Sequence, residues 1–239
     1  MPKAPKWLND TVESLLSGKM PMLQVIAAEY INPAIKRIRF HGDISRLNFH
    51  VGYAMAVRVS GTEYRNYTVS YHDAEKGIVE MIAHLHGNAP GSIYVDSLTT
   101  GDALRLVPPR GKKMYDSAVK QHFFFGDETS LGLACSLQQS LQKNDQRYRF
   151  YFELDHENKN VPALLGLDNY TLVAKGTTFF DAALVNELPL FRIRNWHRGN
   201  FILTGNARSV QTIRKVLKQN NISGNILAQA YWAEGKTGL

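Results

Sequence analysis

The sequence predicts a β plus α/β protein, with a closed antiparallel β-barrel first and a parallel-sheet α/β domain second. Three observations carry this. Up to about residue 120, short alternating or β-branched runs are separated by Gly, Asp and Pro, as in a barrel built of hairpins. Beyond that point, strand-like and helix-like segments alternate, as in a parallel sheet with crossover helices. Between the two textures lies the polar stretch "GKKMYDSAVKQ", residues 111–121.

The chain has 239 residues, 44% of them hydrophobic, which suffices for one large domain or two small ones. Residues 1–19, "MPKAPKWLNDTVESLLSGK", read as a helical extension, with Asp10 as N-cap, Glu13 three residues on and Gly18 as the stop. The segment has no unbroken apolar run and carries acids, so a secretory signal is not expected. The barrel is expected over 20–115, with strands in "MLQVIAAEYI", "AIKRIRFHG", "YAMAVRVSG", "YRNYTVSYHD", "GIVEMIAHLHG" and "GDALRLVPPRG". The α/β domain is expected over 116–239. It opens with the apolar burst "HFFFG" and a helix in "DETSLGLACSLQQSLQKN". Strands follow in "RYRFYFEL" and "YTLVAKG", then helical "TFFDAALVNEL". "NFILTG" leads into "NARSVQTIRKVLKQN", where Val210, Ile213, Val216 and Leu217 fall at helical spacing. "ILAQAYW" is the last strand.

Net charge is +7. Such an excess concentrates anions of any kind near the surface, from nucleic acid to an acidic metal chelate. The densest basic patch, "RIRNWHR" at 192–198, lacks the aromatic–basic interleaving of a stacking platform, so no nucleic-acid partner is expected. No window approaches the roughly 18 consecutive apolar residues of a membrane span, and none is expected. The single cysteine, Cys135, excludes an internal disulfide and suits a cytoplasmic setting. Within "GLACSLQQSL" it reads as packing material.

The strand "EYRNYTVSYHD", residues 63–73, holds an unusual grouping. Arg65 and Tyr67 share one strand face, and Thr68 points to the other unless the strand bends. A guanidinium fork suits phosphate oxygens, a tyrosine ring can lie on a flat heterocycle, and a hydroxyl can bond a ring nitrogen. The set would suit a flavin with a phosphate tail, although ordinary cross-strand pairing would also account for it. "HGNAPGSIYVDSL" at 86–98 reads as a turn whose amides, with the Ser92 hydroxyl, could cradle a pyrophosphate. In the second half, ligands are expected at carboxyl strand ends beside helix starts. "FFFGDETSLG" offers Gly126 and Asp127 there. "LTGNARSV" offers Gly205 and Asn206, the latter a possible N-cap. Neither carries the Gly-x-Gly-x-x-Gly fingerprint. His84 and His86 share a strand face at metal-compatible spacing, but no third ligand is evident and no metal is expected.

Taken in order, "RNYT" (65–68), "HGNAPGS" (86–92), "GDALRLVPPRG" (101–111), "GDETSLGLA" (126–134), "LTGNARSVQTIRKVL" (203–217) and "YWAEGKTGL" (231–239) resemble the siderophore-interacting proteins. These are flavin-dependent ferric-siderophore reductases of the ferredoxin–NADP reductase superfamily, and the resemblance covers about residues 20–239. It implies a six-stranded antiparallel Greek-key barrel, with non-covalent FAD held between barrel and α/β domain. Arg65 would contact the phosphate side, Tyr67 would pack on the isoalloxazine, and Thr68 would lie near its reactive nitrogen. His86 would sit near the cofactor, and Gly91 with Ser92 would bind the pyrophosphate. Gly126, Asp127, Glu128 and Thr129 would line the donor's mouth together with Asn206. Tyr231 and Trp232 would approach the flavin. The donor would be NAD(P)H or reduced ferredoxin, and the acceptor a ferric siderophore whose Fe(II) is released in the cytoplasm. Lys236, Arg194 and His197 are the basic residues expected to attract that anionic substrate. The sequence departs from the family at Ala89, where a turn glycine is usual, and at Asn206, where Gly-Glu is frequent. Two rival readings are a flavin reductase of the same superfamily with another acceptor, and a non-catalytic basic barrel binding nucleic acid.

Overall fold

The structure, a computed structural model, describes residues 20–236, so the helix expected over 1–19 lies outside the described residues. The chain forms two compact units, one ending at Lys113 and one beginning at Met114.

The first unit is a closed barrel of β1 (Met22–Asn32), β2 (Ile35–His41), β3 (Tyr53–Arg58), β4 (Tyr64–Asp73), β5 (Ile78–His84) and β6 (Ala103–Gly111), in the order β1-β2-β5-β4-β3-β6. All neighbours are antiparallel. β6 returns beside β3 of the β3-β4-β5 meander, which makes the Greek key. Period-two alternation sends Leu23, Val25, Ile38, Phe40, Val79 and Leu106 inward, as the sequence pattern requires.

The segment after β5 differs from expectation. It is a helix, α1 (Pro90–Ser97), not merely a turn. Pro90 fits the first helical turn because its fixed φ is already helical and its missing N–H has no partner to lose. Val95 and Leu98 then anchor the segment in the barrel core.

The second unit is a parallel sheet of β7 (Gln121–Gly126), β8 (Arg147–Leu154), β9 (Tyr170–Ala174), β10 (Asn200–Asn206) and β11 (Ile226–Trp232), ordered β11-β10-β7-β8-β9. Its helices are α2 (Leu131–Lys143), α3 (Val161–Leu164), α4 (Ala182–Asn186) and α5 (Ala207–Gln219). Phe123, Phe124 and Phe125 are all buried, as befits a strand covered on both faces. "TFFDAALVNEL" breaks into a 3₁₀ turn, Thr178–Phe180, and the short α4. The break is at Asp181, whose backbone is extended and whose carboxylate accepts the Ala183 amide as an N-cap. The chain steps from β7 outward to β9, then returns to place β10 on the other side of β7. The carboxyl ends of β7 and β10 therefore flank a topological switch point, where such sheets bind ligands. Among the described residues, no helix is long and apolar enough to cross a membrane.

Candidate functional site

In the barrel, β4 and the start of α1 meet. Tyr67 Oη donates to the Gly91 carbonyl at 3.2 Å. A Cβ placed on Gly91 would lie 2.9 Å from Tyr67 Oη and 3.0 Å from Arg65 Cγ, so only glycine lets the helix backbone sit this close. Arg65, Tyr67 and Gly91 are thus brought together. The Tyr67 ring packs against the barrel core, and burial pushes its phenol up to about 12, so it stays a neutral donor. The Arg65 guanidinium is oriented by its own neighbours. Nη1 donates to the Tyr64 carbonyl at 2.9 Å and Nη2 to Glu63 at 3.2 Å, which engages two of its five N–H donors.

The first turn of α1 has no capping side chain and no acidic residue. The opening amides of a helix lack intrahelical partners and carry partial positive charge, which makes them a ready anion site. An uncapped helix start, with the stem of Arg65 packed against its buried Gly91, fits a pyrophosphate.

Ser92 serves the loop rather than the surface. Its Oγ accepts the His86 amide at 3.0 Å and donates to the His86 carbonyl at 3.2 Å, so what it offers an anion is its backbone amide. The clasp ties His86 to α1. The His86 ring stands 5.3 Å from that of His84, in a tilted pair. Thr68 pairs with Ala54 across the β3–β4 ladder, just before an irregularity between Val69 and Tyr71.

In the α/β unit, the switch point is filled by the chain's own acids. Asp127, only 1% exposed, accepts the Thr129 amide at 2.9 Å and the Thr129 hydroxyl on Oδ1, and the Trp232 indole on Oδ2 at 2.6 Å. Glu128, also 1% exposed, accepts the Asp155 amide and Asn158 on Oε1, and Lys175 on Oε2 at 2.8 Å. Burial opposes its charge, but the bonds from Lys175, Asn158 and the Asp155 amide outweigh it and hold the carboxyl below its ordinary value. Asp127 moves the other way, because burial outweighs its hydrogen bonds and raises it. The expected mouth-lining roles of Asp127 and Glu128 change accordingly. Their carboxylates are buried and engaged by the chain's own donors. Asn206 caps α5 by accepting the Arg208 amide at 2.8 Å, so its side chain too is engaged. Gly126 packs against Ser130, where an added Cβ would come within 2.5 Å. Tyr231 lies beside Trp232 on β11.

The three expected substrate residues do not gather. Arg194 and His197 precede β10, on the amino side of the sheet, whereas Lys236 follows β11 on the carboxyl side. Parallel strands of seven residues separate those edges by roughly 20 Å.

Sequence reasoning missed Lys175 and Glu153. Glu153 on β8 is 2% exposed. Its Oε1 accepts the Ser209 hydroxyl of α5, and its Oε2 is buried with no partner among the described residues. Burial, aided by the charge of Asp127, raises its carboxyl from 4.5 to about 7. Between those values the folded chain holds a proton that the unfolded chain has released. Its stabilising effect is therefore full at the acidic end and lost as pH rises through 7, to the extent of about 3 kcal/mol at most. Glu153→Gln should close this gap. Urea midpoints of the two proteins, compared from about pH 5 to pH 8, should shift in the variant's favour as pH rises. A constant difference across that window would contradict the assignment.

A search of curated protein sequences found no match. The family model for an oxidoreductase FAD-binding domain matches residues 22–115. Among solved structures, a siderophore utilization protein from T. fusca is 20% identical, with a TM-score of 0.73 over 92% of this chain and 95% of that one. A siderophore-interacting protein from Aeromonas hydrophila is 18% identical, with a TM-score of 0.73 over 91% and 93%. Phthalate dioxygenase reductase is 18% identical, with a TM-score of 0.74 over 92% of this chain and 70% of its own. At these identities the likeness is one of fold. At that level it bears out both the two-part architecture and the resemblance to siderophore-interacting proteins.

Proposed function

We propose that this chain, whose residues 22–115 match the model of an oxidoreductase FAD-binding domain, is an FAD-dependent oxidoreductase and a cytoplasmic ferric-siderophore reductase. With FAD held non-covalently, it would take electrons from NAD(P)H or reduced ferredoxin and deliver them one at a time to chelated Fe(III). Fe(II) is held weakly by hard oxygen donors and leaves. The observation that carries the reading is the meeting of Arg65, Tyr67 and Gly91 at the uncapped start of α1. The choice of acceptor rests on the ordered motifs shared with siderophore-interacting proteins and on the +7 charge, which favours anionic chelates. In this reading, residues 20–115 bind FAD and residues 116–239 receive the donor, behind a 1–19 extension.

Bound FAD would accept a pair of electrons and return them singly, which is the cofactor's own chemistry. The chain supplies binding and orientation. Arg65 and the first amides of α1 would hold the phosphate oxygens of FAD. The Tyr67 ring, fixed by its bond to Gly91, would give the isoalloxazine a flat, apolar neighbour, and Thr68 would supply a hydroxyl to its polar edge. No general base or activated nucleophile is required of the protein. In the α/β unit, the bond that the Trp232 indole donates to Asp127 keeps the end of β11 fixed.

The reading is tested by turnover of the holoprotein with NADH, NADPH or reduced ferredoxin as donor, and ferric chelates or free flavin as acceptor. Ferric chelates should be reduced fastest. Preference for free flavin would make the protein a flavin reductase instead.

Lys236 is exposed, four residues beyond Trp232. Attraction between exposed charges is screened within about 8 Å at physiological salt. Reduction of an anionic chelate should slow as salt rises, more than that of a neutral one. Lys236→Glu should raise KM for the anionic chelate and leave flavin reduction by the donor unchanged. Parallel plots of kcat/KM against ionic strength, for both chelates and both proteins, would exclude steering by this residue.

A further inference from the structure

One buried cation has no part in the site described above. Lys36 lies on β2 and shares a strand face with Ile38 and Phe40, both core residues. It is 2% exposed. Its Nζ donates to the carbonyls of Val95 at 3.2 Å, Asp96 at 2.7 Å and Leu98 at 2.9 Å. An ammonium has three donors, and all three are used. The acceptors are the last carbonyls of α1 and of its C-cap residue. Tyr30 completes the arrangement. Its ring lies 5.0 Å from Nζ, and its hydroxyl donates to the Asp96 carboxylate at 2.5 Å.

α1 has eight residues, includes Gly91 and Ser92, and carries no basic residue in its last turn. A helix this short is marginal by itself. A cation at its C-terminus satisfies orphan carbonyls and the negative end of the dipole. Burial pulls the Lys36 ammonium below its ordinary value, while Asp96 and Asp102 pull it back. Removing this charge from water is costly, and the three carbonyl bonds offset that cost only when the helix is in place.

We propose that Lys36 is a positioning residue for cofactor binding: by capping the far end of α1, it holds the Gly91 and Ser92 amides where a pyrophosphate meets Arg65. This rests on the FAD reading. It makes the affinity for the phosphate-bearing part of a flavin depend on a lysine one helix length away, which touches no part of the ligand.

The test is Lys36→Met, which keeps the aliphatic stem and removes the charge. Apoprotein is titrated with FAD and, separately, with riboflavin, which has the same ring system and no phosphate. Amide exchange over residues 91–97 is followed in the same samples without ligand. The expected result is a loss of FAD affinity of about tenfold or more, comparable with loss of a charge-assisted bond. Riboflavin affinity should stay within about twofold, and exchange over α1 should be faster. Equal weakening of both flavins would assign Lys36 a general structural role and overturn the proposal, as would unchanged FAD affinity. If Lys36→Met does not fold, Lys36→Gln, a neutral donor, is measured by the same criteria. If the wild type binds no FAD, the FAD reading itself fails. Exchange over α1 then still decides whether Lys36 holds the helix.

Discussion

Gly205→Ala is expected to destabilise the α/β unit by about 3 kcal/mol or more. Gly205 has φ +93°, which an alanine adopts only under strain. A Cβ there would also lie 2.6 Å from the Asp127 carboxylate. That carboxylate cannot retreat, because Thr129 holds one oxygen and Trp232 the other. Strain and overpacking each contribute on the order of 1–3 kcal/mol, and here they coincide. Chemical unfolding followed by tryptophan fluorescence measures the effect. A variant within about 1 kcal/mol of wild type would mean that the turn relaxes freely and that the tie from Asp127 to Trp232 is not rigid.

Arg65→Ala should weaken FAD binding by roughly tenfold to a hundredfold. A charge-assisted phosphate contact is worth about 1.5–3 kcal/mol, and Arg65 is the charged residue whose stem packs against Gly91. Arg65→Lys should recover part of the loss, since an ammonium keeps the charge but not the planar fork. Flavin content after purification and titration of apoprotein give the two numbers. Full occupancy in Arg65→Ala would remove Arg65 from the site. Ser92→Ala is expected to act differently, by loosening the clasp on His86 rather than by deleting a ligand bond.

The barrel strands were legible because each alternates over several residues and ends at a turn signal. "AIKRIRFHG" shows why, with Ile38 and Phe40 inward and Arg39 outward. α5 was legible from the spacing of Val210, Ile213, Val216 and Leu217, all buried. α1 was not. "PGSIYVDS" mixes Gly, Ser and β-branched residues, which are weak helix formers, and tertiary contacts decide its conformation. A signal was present all the same, since a lysine two places before Ile38 falls on the core face of β2 and needs a buried partner. Asp127 and Glu128 were legible as residues of a strand-to-helix turn, but not as buried groups. Their burial depends on Trp232 and Lys175, 105 and 47 positions away in the chain. Glu153 was hidden because β8 is buried across both faces at its end, which erases the alternation that would expose an inward acid.

The central claim is electron delivery from this protein's flavin to chelated iron, and the reoxidative half-reaction tests it alone. Holoprotein is reduced anaerobically with a chemical reductant, freed of excess, and mixed with a ferric hydroxamate or catecholate chelate in the presence of an Fe(II)-specific dye. The account expects the flavin absorbance to return at a rate that rises with chelate concentration, with Fe(II) appearing in the amount the reduced flavin can supply. A flavin that stays reduced in the presence of every ferric chelate, yet is promptly reoxidised by another acceptor, would contradict it.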